Sequence, residues 1–440
     1  MKKQLLYGIY NLLCLLLLPF FALFLIGTWL RKPAYRKNFS QRFGCYPADF
    51  FSGLRDKKVI WIHAASVGEV MMSRLFVQGL RARYPKAGLV VSTITPTGQA
   101  AAQAHLADSA DLFIYFPFDF LWIAPAAVKK ISPALFIFME TEIWPNCLKA
   151  LAVRKIPAVM ANGRISNKSF PRYQKLKPFL SRILSNVSLF LMQSENDAQR
   201  IIALGAKTKK VVTCGNMKYD QAASGAGATA NRPTRETLGL PEEIPLMIAG
   251  STRPGEEAAV LDAYRILHLS LPALRLLLAP RHLDRLETLE KLLLARGYAS
   301  IRKSRISGPI AGNSPEHSPV ILLDTLGELN RLYALADYIF VGGSLADFGG
   351  HNPLEPAAYE KPIFFGPHME NFRDIANHLL ESGGGISVAN GKALGEAVLA
   401  LSQNPEDYKK RAAAAYALVL KHRGAVARHF DHLSALIGQS

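Results

Sequence analysis

Three acidic side chains pose the chemical question. In "VIWIHAASVGEV" an apolar run passes through small residues to Glu69. In "ALFIFMETEIWPN" another apolar run ends on Glu140 and Glu142. Ser66 and Glu69 fit the S-x-x-E capping box, in which the glutamate ties down a helix start. The same residue could also bind a ligand or act as a catalytic base. Two more carboxylates at the end of a buried strand would raise the pKa of Glu69 and counter the depression expected at a helix N-terminus. A base for an alcohol needs that correction.

The second half offers the complementary chemistry. Polar and glycine-rich turns follow its apolar runs: "GSTRPGEE", "PRH", "DTLGEL" and "GGSLADFGGHNPLEP". Where such turns open helices, free N–H groups and positive partial charge suit a phosphate. Arg281 and His282 can add charge and donors, Ser251 and Thr252 hydroxyls, and Gly342 and Gly343 a close backbone approach. Glu355 suits a pair of ribose hydroxyls, and Glu328 can cap its own helix. Neither GxGxxG opening a helix nor GxxxxGK[ST] occurs, so the expectation is a nucleotide site of another kind.

The elements that must carry these residues are those of parallel sheets. Short β-branched or aromatic runs alternate with amphipathic stretches from residue 58 to about 220, and again after residue 235. The segment "QAASGAGATANRPT" between them lacks an apolar period and reads as a linker. The expected plan is α/β: an N-terminal domain over 32–220, a linker over 221–235 and a C-terminal domain over 236–440, facing a cleft with ligands at the carboxyl ends of the strands.

Ahead of these lies "LLYGIYNLLCLLLLPFFALFLIGTWL", an uncharged stretch long enough to cross a bilayer as a helix. Residues 1–31 are therefore expected to be a membrane anchor, a segment lying in one leaflet with Pro19 as a kink being the other possibility. Arg31, Lys32, Arg36 and Lys37 outnumber Lys2 and Lys3, which places the body on the cytoplasmic side. The net charge of +18 and the twelve basic against two acidic side chains of residues 151–210 favour an anionic membrane surface or lipid phosphate, over nucleic acid, for which no motif is present. Four scattered cysteines suit a reducing compartment, and His429 and His432 are expected on a solvated helix face instead of a metal site.

Taken together, "HAASVGE", "METEIWPN", "NGRIS", "GNMKYD", "PRH", "GELNRLYALADYIFVGGSL", "GGHNPLEPAA" and "GPHMENF" resemble the 3-deoxy-D-manno-octulosonic acid (Kdo) transferases of lipopolysaccharide assembly. The resemblance runs from the anchor to about residue 390. It implies a GT-B type fold of two Rossmann-like domains, and transfer of Kdo from CMP-Kdo to a lipid A precursor at the inner membrane. It places the proton acceptor on Glu69, and nucleotide contacts on Pro280 and Arg281, on Leu326, Gly327 and Glu328, and on Asn352, Pro353, Leu354 and Glu355. Leu326 stands where some relatives have methionine, a small departure if the contact is made by backbone.

Displacing CMP from a ketosidic carbon passes through an oxocarbenium-like state. The protein must therefore deprotonate the incoming hydroxyl and stabilise a departing phosphate. A single displacement inverts the anomeric centre. No DxD pair lies in a suitable loop, so no metal and no cofactor are expected. The rivals are a GT-B relative using another nucleotide sugar, an epimerase of that architecture, and a membrane-tethered nucleotide-binding module without catalysis.

Overall fold

The computed structural model describes residues 2–227, 233–310 and 319–437. Its first compact unit comprises residues 1–217 and 424–440, its second residues 218–423.

The first unit is a seven-stranded parallel sheet of β1 (Val59–His63), β2 (Gly88–Thr93), β3 (Leu112–Tyr115), β4 (Leu135–Met139), β5 (Ala158–Gly163), β6 (Leu189–Met192) and β7 (Val211–Thr213), in the order β3-β2-β1-β4-β5-β6-β7. Both faces are covered. Alternate residues feed two cores: Trp61, Phe136 and Phe138 pack into one, and Ile60, Ile62 and Ile137 into the other. The strand order reverses between β1 and β4, and Glu69 follows the former while Glu140 and Glu142 follow the latter. Ligands of open α/β sheets bind at such a switch point.

The second unit repeats the plan with β8 (Leu246–Thr252), β9 (Arg275–Pro280), β10 (Ser300–Arg302), β11 (Val320–Leu322), β12 (Tyr338–Val341), β13 (Ile363–Phe365) and β14 (Gly385–Ser387), in the order β10-β11-β9-β8-β12-β13-β14. Its switch point lies between β8, which ends on Ser251 and Thr252, and β12, which is followed by Gly342 and Gly343.

The expected boundaries shift at two places. Residues 221–227, read as linker, continue the helix Met217–Gly227, because the alanines of "QAASGAG" favour helix and Tyr219 and Ala222 are buried in the second core. Residues 228–232 of that linker lie outside the described residues. The helix Ala425–Ile437, expected in the second domain, belongs to the first: Phe430 stacks on Phe76 with ring centroids 5.1 Å apart, and Arg428 Nε donates to the Cys214 carbonyl at 2.7 Å. His429 is not on a solvated face either. It is buried, its Nε2 accepts the Asn162 N–H at 3.0 Å, and burial pulls its pKa down to about 4.

At the N-terminus, no single helix among the described residues is long and apolar enough to cross a membrane. The apolar stretch forms α1 (Lys2–Leu16) and α2 (Leu18–Arg31), whose apolar parts together meet the length and composition of a span but are bent by 49°. Pro19 sits at the start of α2, where its missing N–H costs nothing and its ring disfavours a continuous helix. The pair is docked on the first unit. Tyr7 is buried in its core, the Tyr10 hydroxyl donates to Asp119 at 3.0 Å, and Phe21 meets Phe118 edge-on at 5.1 Å.

Candidate active site

In the first unit the sequence "HAASVGE" turns β1 directly into α3 (Val67–Arg83). Ser66 is the N-cap, and its hydroxyl oxygen accepts the Glu69 N–H at 3.4 Å. The reciprocal bond differs from the capping box. The Glu69 carboxylate accepts from the Ala65 N–H at 2.8 Å and from the Ser66 hydroxyl at 3.2 Å. Glu69 therefore ties down the helix start, while its side chain keeps partial exposure at the carboxyl end of β1. Its pKa is pushed up to about 8, chiefly by burial. Burial, with a smaller contribution from the charges of Glu142 and Glu140, outweighs the lowering by the Ala65 and Ser66 hydrogen bonds.

Glu140 and Glu142 lie in the turn that follows β4, the sheet neighbour of β1, and their charges act on Glu69. Glu140 holds a left-handed backbone at φ 52°, unusual for a residue with a side chain, and its N–H is held by the Ala161 carbonyl at 3.0 Å. Glu142 Oε2 accepts from Trp144 Nε1 at 3.1 Å and lies 3.7 Å from Nε2 of the fully buried His63. His63 in turn stacks on Phe116, and its Nδ1 faces the Ser92 carbonyl at 3.1 Å. The sequence reading brought the three carboxylates together but passed over His63. Its signal was a polar residue ending a wholly apolar strand.

In the second unit the expected residues fall into two groups. Three loops meet around β8: those after β8 and β12, and the turn after β9 at Pro280 and Arg281. Glu256, unremarked in the sequence, ties the loops after β8 and β12 together: its buried carboxylate accepts the N–H groups of Arg253 at 2.8 Å, Gly343 at 2.6 Å, Ser344 at 2.7 Å and Leu345 at 2.8 Å. It fastens the turn after β12 to the start of the helix Glu256–Ser270. Gly342 is needed for close approach, since a Cβ there would lie 2.7 Å from the Ser251 carbonyl oxygen. The Arg281 N–H donates to the Thr252 carbonyl at 3.0 Å, so Pro280 and Arg281 stand beside Ser251, itself left-handed at φ 57°.

Above this frame lies a cationic cluster. Arg253 Nη1 meets His282 Nε2 at 2.7 Å, and His351, whose buried Nε2 has no hydrogen-bond partner among the described residues, is held neutral with its pKa lowered to about 4 by burial and by Arg281, Arg253 and His282. The Thr252 hydroxyl is likewise buried without a partner among the described residues. Two orphaned polar groups beside exposed Arg281 and His282 fit an anionic ligand. Asn352 donates to Glu355 at 3.2 Å and Leu354 follows the buried Pro353. Burial lifts the Glu355 carboxyl, against the pull of Asn352 and Arg281.

The second group stands apart. Glu328 accepts from the Thr325 hydroxyl at 2.6 Å and pairs with Lys303 at 2.9 Å. These partners hold it below the usual range despite partial burial. Gly327 is left-handed at φ 82° and Leu326 is exposed. Among the described residues no recorded hydrogen bond joins 326–328 to the other loops, although β11 and β9 are sheet neighbours. Asp347, His368 and Glu370 bring potential metal-ligand atoms within 4.8 Å of one another on the surface, a grouping common without a metal.

Two parallel sheets of this topology define a GT-B type protein, and solved structures share the fold. A UDP-GlcNAc 2-epimerase from Neisseria meningitidis aligns over 86% of this chain and 99% of its own at a TM-score of 0.60, with 13% identity, a likeness of fold alone. The family model described as 3-deoxy-D-manno-octulosonic-acid transferase (kdotransferase) matches residues 37–221. A 3-deoxy-D-manno-octulosonic acid transferase of Haemophilus influenzae is 36% identical over 429 residues, covering 96% of this chain and 97% of the relative. One from Bordetella pertussis is 30% identical, covering 86% and 87%. The chain belongs to the 3-deoxy-D-manno-octulosonic acid transferases, which are glycosyltransferases.

Proposed function

We propose that this transferase moves Kdo from CMP-Kdo to a hydroxyl of a lipid A precursor, lipid IVA, with inversion, on the cytoplasmic side of the inner membrane. The observation that carries the reading is Glu69: a carboxylate at the switch point of the first sheet, its pKa raised to about 8 in the company of two further acids. In its ionised form it takes the proton of the acceptor hydroxyl. The freed oxygen attacks the anomeric carbon, the bond from that carbon to the CMP phosphate breaks, and the electron pair leaves with CMP. Glu140 and Glu142 add to burial in raising the basicity of Glu69.

Arg281, His282, Ser251, Thr252 and the Gly343 turn stabilise the departing phosphate, in the way preorganised donors stabilise developing charge. Glu355, with Asn352, Pro353 and Leu354, takes the ribose side, and Leu326, Gly327 and Glu328 offer backbone toward the nucleotide. The bent helix pair supplies the membrane contact, and the basic stretch 151–210 favours an anionic headgroup. The test is incubation of purified protein with CMP-Kdo and a tetra-acylated precursor, followed by mass analysis of the lipid. A mass increase of whole Kdo residues is expected; an unchanged lipid defeats the reading.

A further inference from the structure

Between the bent helix pair and the body of the first unit lies a cavity of about 530 Å³, within the size range of small-molecule sites. One wall is helical, with Cys14, Leu25 and Thr28 turned inward. The opposite wall includes Ile94, Phe116 and Trp144, which are linked to the carboxylate cluster, Trp144 directly and the other two through Ala65 and His63. The Ile94 N–H donates to the Ala65 carbonyl at 3.0 Å, and the N–H of that same Ala65 holds Glu69. Phe116 stacks on His63, and Trp144 donates to Glu142. The cavity therefore backs directly onto the acidic site.

Its lining is mostly apolar, and of its charged groups Lys32, Arg42 and Asp119 the carboxylate is already satisfied by the Tyr10 hydroxyl and the N–H groups of Asn146 and Cys147. Arg42 is only 4% exposed; its Nη2 donates to the Ile94 carbonyl at 2.6 Å and its guanidinium lies over Tyr115, yet Nε has no acceptor among the described residues. A buried donor left open costs free energy unless something brought in from outside satisfies it. The outer faces of the helix pair, meanwhile, expose Leu12, Leu16, Phe20 and Leu23, so the apolar surface continues from outside to the cavity wall.

We infer that this cavity seats one acyl chain of the glycolipid acceptor, its carbonyl oxygen accepting from Arg42 and its methylenes lying between the helix pair and Phe116. This rests on the lipid acceptor proposed above and adds where that lipid is gripped. Seating the chain here sets the acceptor sugar at Glu69 and makes acylation a condition of tight binding.

The test uses the full-length protein in phospholipid vesicles with CMP-Kdo and two acceptors, the acylated precursor and its water-soluble deacylated phosphosugar core. Leu25→Trp and Thr28→Trp fill the cavity from the helix side. The expected result is a KM for the acylated acceptor raised about tenfold at little-changed kcat, with kcat/KM for the deacylated core as in wild type. Equal effects on both acceptors, or none on either, overturn the inference. A second measurement does not depend on turnover. An acylated precursor with a photoreactive chain end should label the cavity-lining Cys14, Leu25 or Thr28 and the segment around Phe116 in the wild-type protein, and unlabelled precursor should compete. Labelling confined to the outward Leu12, Leu16 and Leu23, or labelling of the cavity that only phospholipid displaces, overturns it. Absence of transfer to both acceptors by wild type, with competed cavity labelling, instead defeats the enzymatic reading and leaves the cavity standing.

Discussion

Replacing Glu69 by glutamine separates its two duties. The amide oxygen can still accept the Ala65 N–H, so the helix start survives, but no basic oxygen remains. The folded-state pKa, about 8, lies above the ordinary 4.5, so the protonated form is the one the fold prefers. The stability this residue contributes is complete below about pH 4.5 and is lost as pH rises through about 8. At about 1.4 kcal/mol per pH unit the full gap is roughly 5 kcal/mol, and water screening of a partly exposed group brings it to about 2–3 kcal/mol. Glutamine does not titrate. The variant should match wild type in denaturant unfolding at about pH 4, and exceed it by about 1 kcal/mol at pH 6 and about 2–3 kcal/mol at pH 9.5. Transfer should fall by a factor of about 10²–10⁴ at every pH. Wild-type kcat/KM should climb tenfold per pH unit to about 8 and then level. A loss below tenfold, or a flat wild-type profile from pH 6 to 9, refutes the assignment of the base. Lower stability at about pH 4, where neither side chain is charged, would show that the cap is the main role.

Three other outcomes are expected. Glu256→Gln replaces a carboxylate oxygen by an amide NH2, a donor facing N–H donors. It should cost about 2–4 kcal/mol in urea unfolding and abolish CMP binding measured by calorimetry. Gly342→Ala should cost about 1–3 kcal/mol and weaken CMP binding with it, because the added carbon meets backbone at Ser251 and Thr252 that has no room to yield. Deleting residues 2–31 should lower stability by about 3 kcal/mol or more in thermal unfolding, since Tyr7 is part of the first core.

Much of this architecture could be read from the chain because parallel strands buried on both faces announce themselves as continuous apolar runs, as in "VIWIH" and "LFIFM". The acids at the end of β4 were legible for the same reason, charge being conspicuous after such a run. What escaped were interactions between residues distant in sequence. Nothing local says that Glu256 collects N–H groups some 90 positions later, or that Phe430 lies on Phe76. His63 was hidden by its neighbours, as its buried partner Ser92 lies on another strand. The helix break was signalled by Pro19, but the docking of Tyr7 and Tyr10 depends on Asn186 and Asp119.

The helix Ala425–Ile437 makes the second unit an insertion within the first. During synthesis the surface around Phe76 stays bare until the whole of the inserted unit has been made and the closing segment has left the ribosome. Completion of the lobe that carries Glu69 is thereby postponed until its companion has been translated, so a truncated product ending before residue 424 lacks the cover for its own first core.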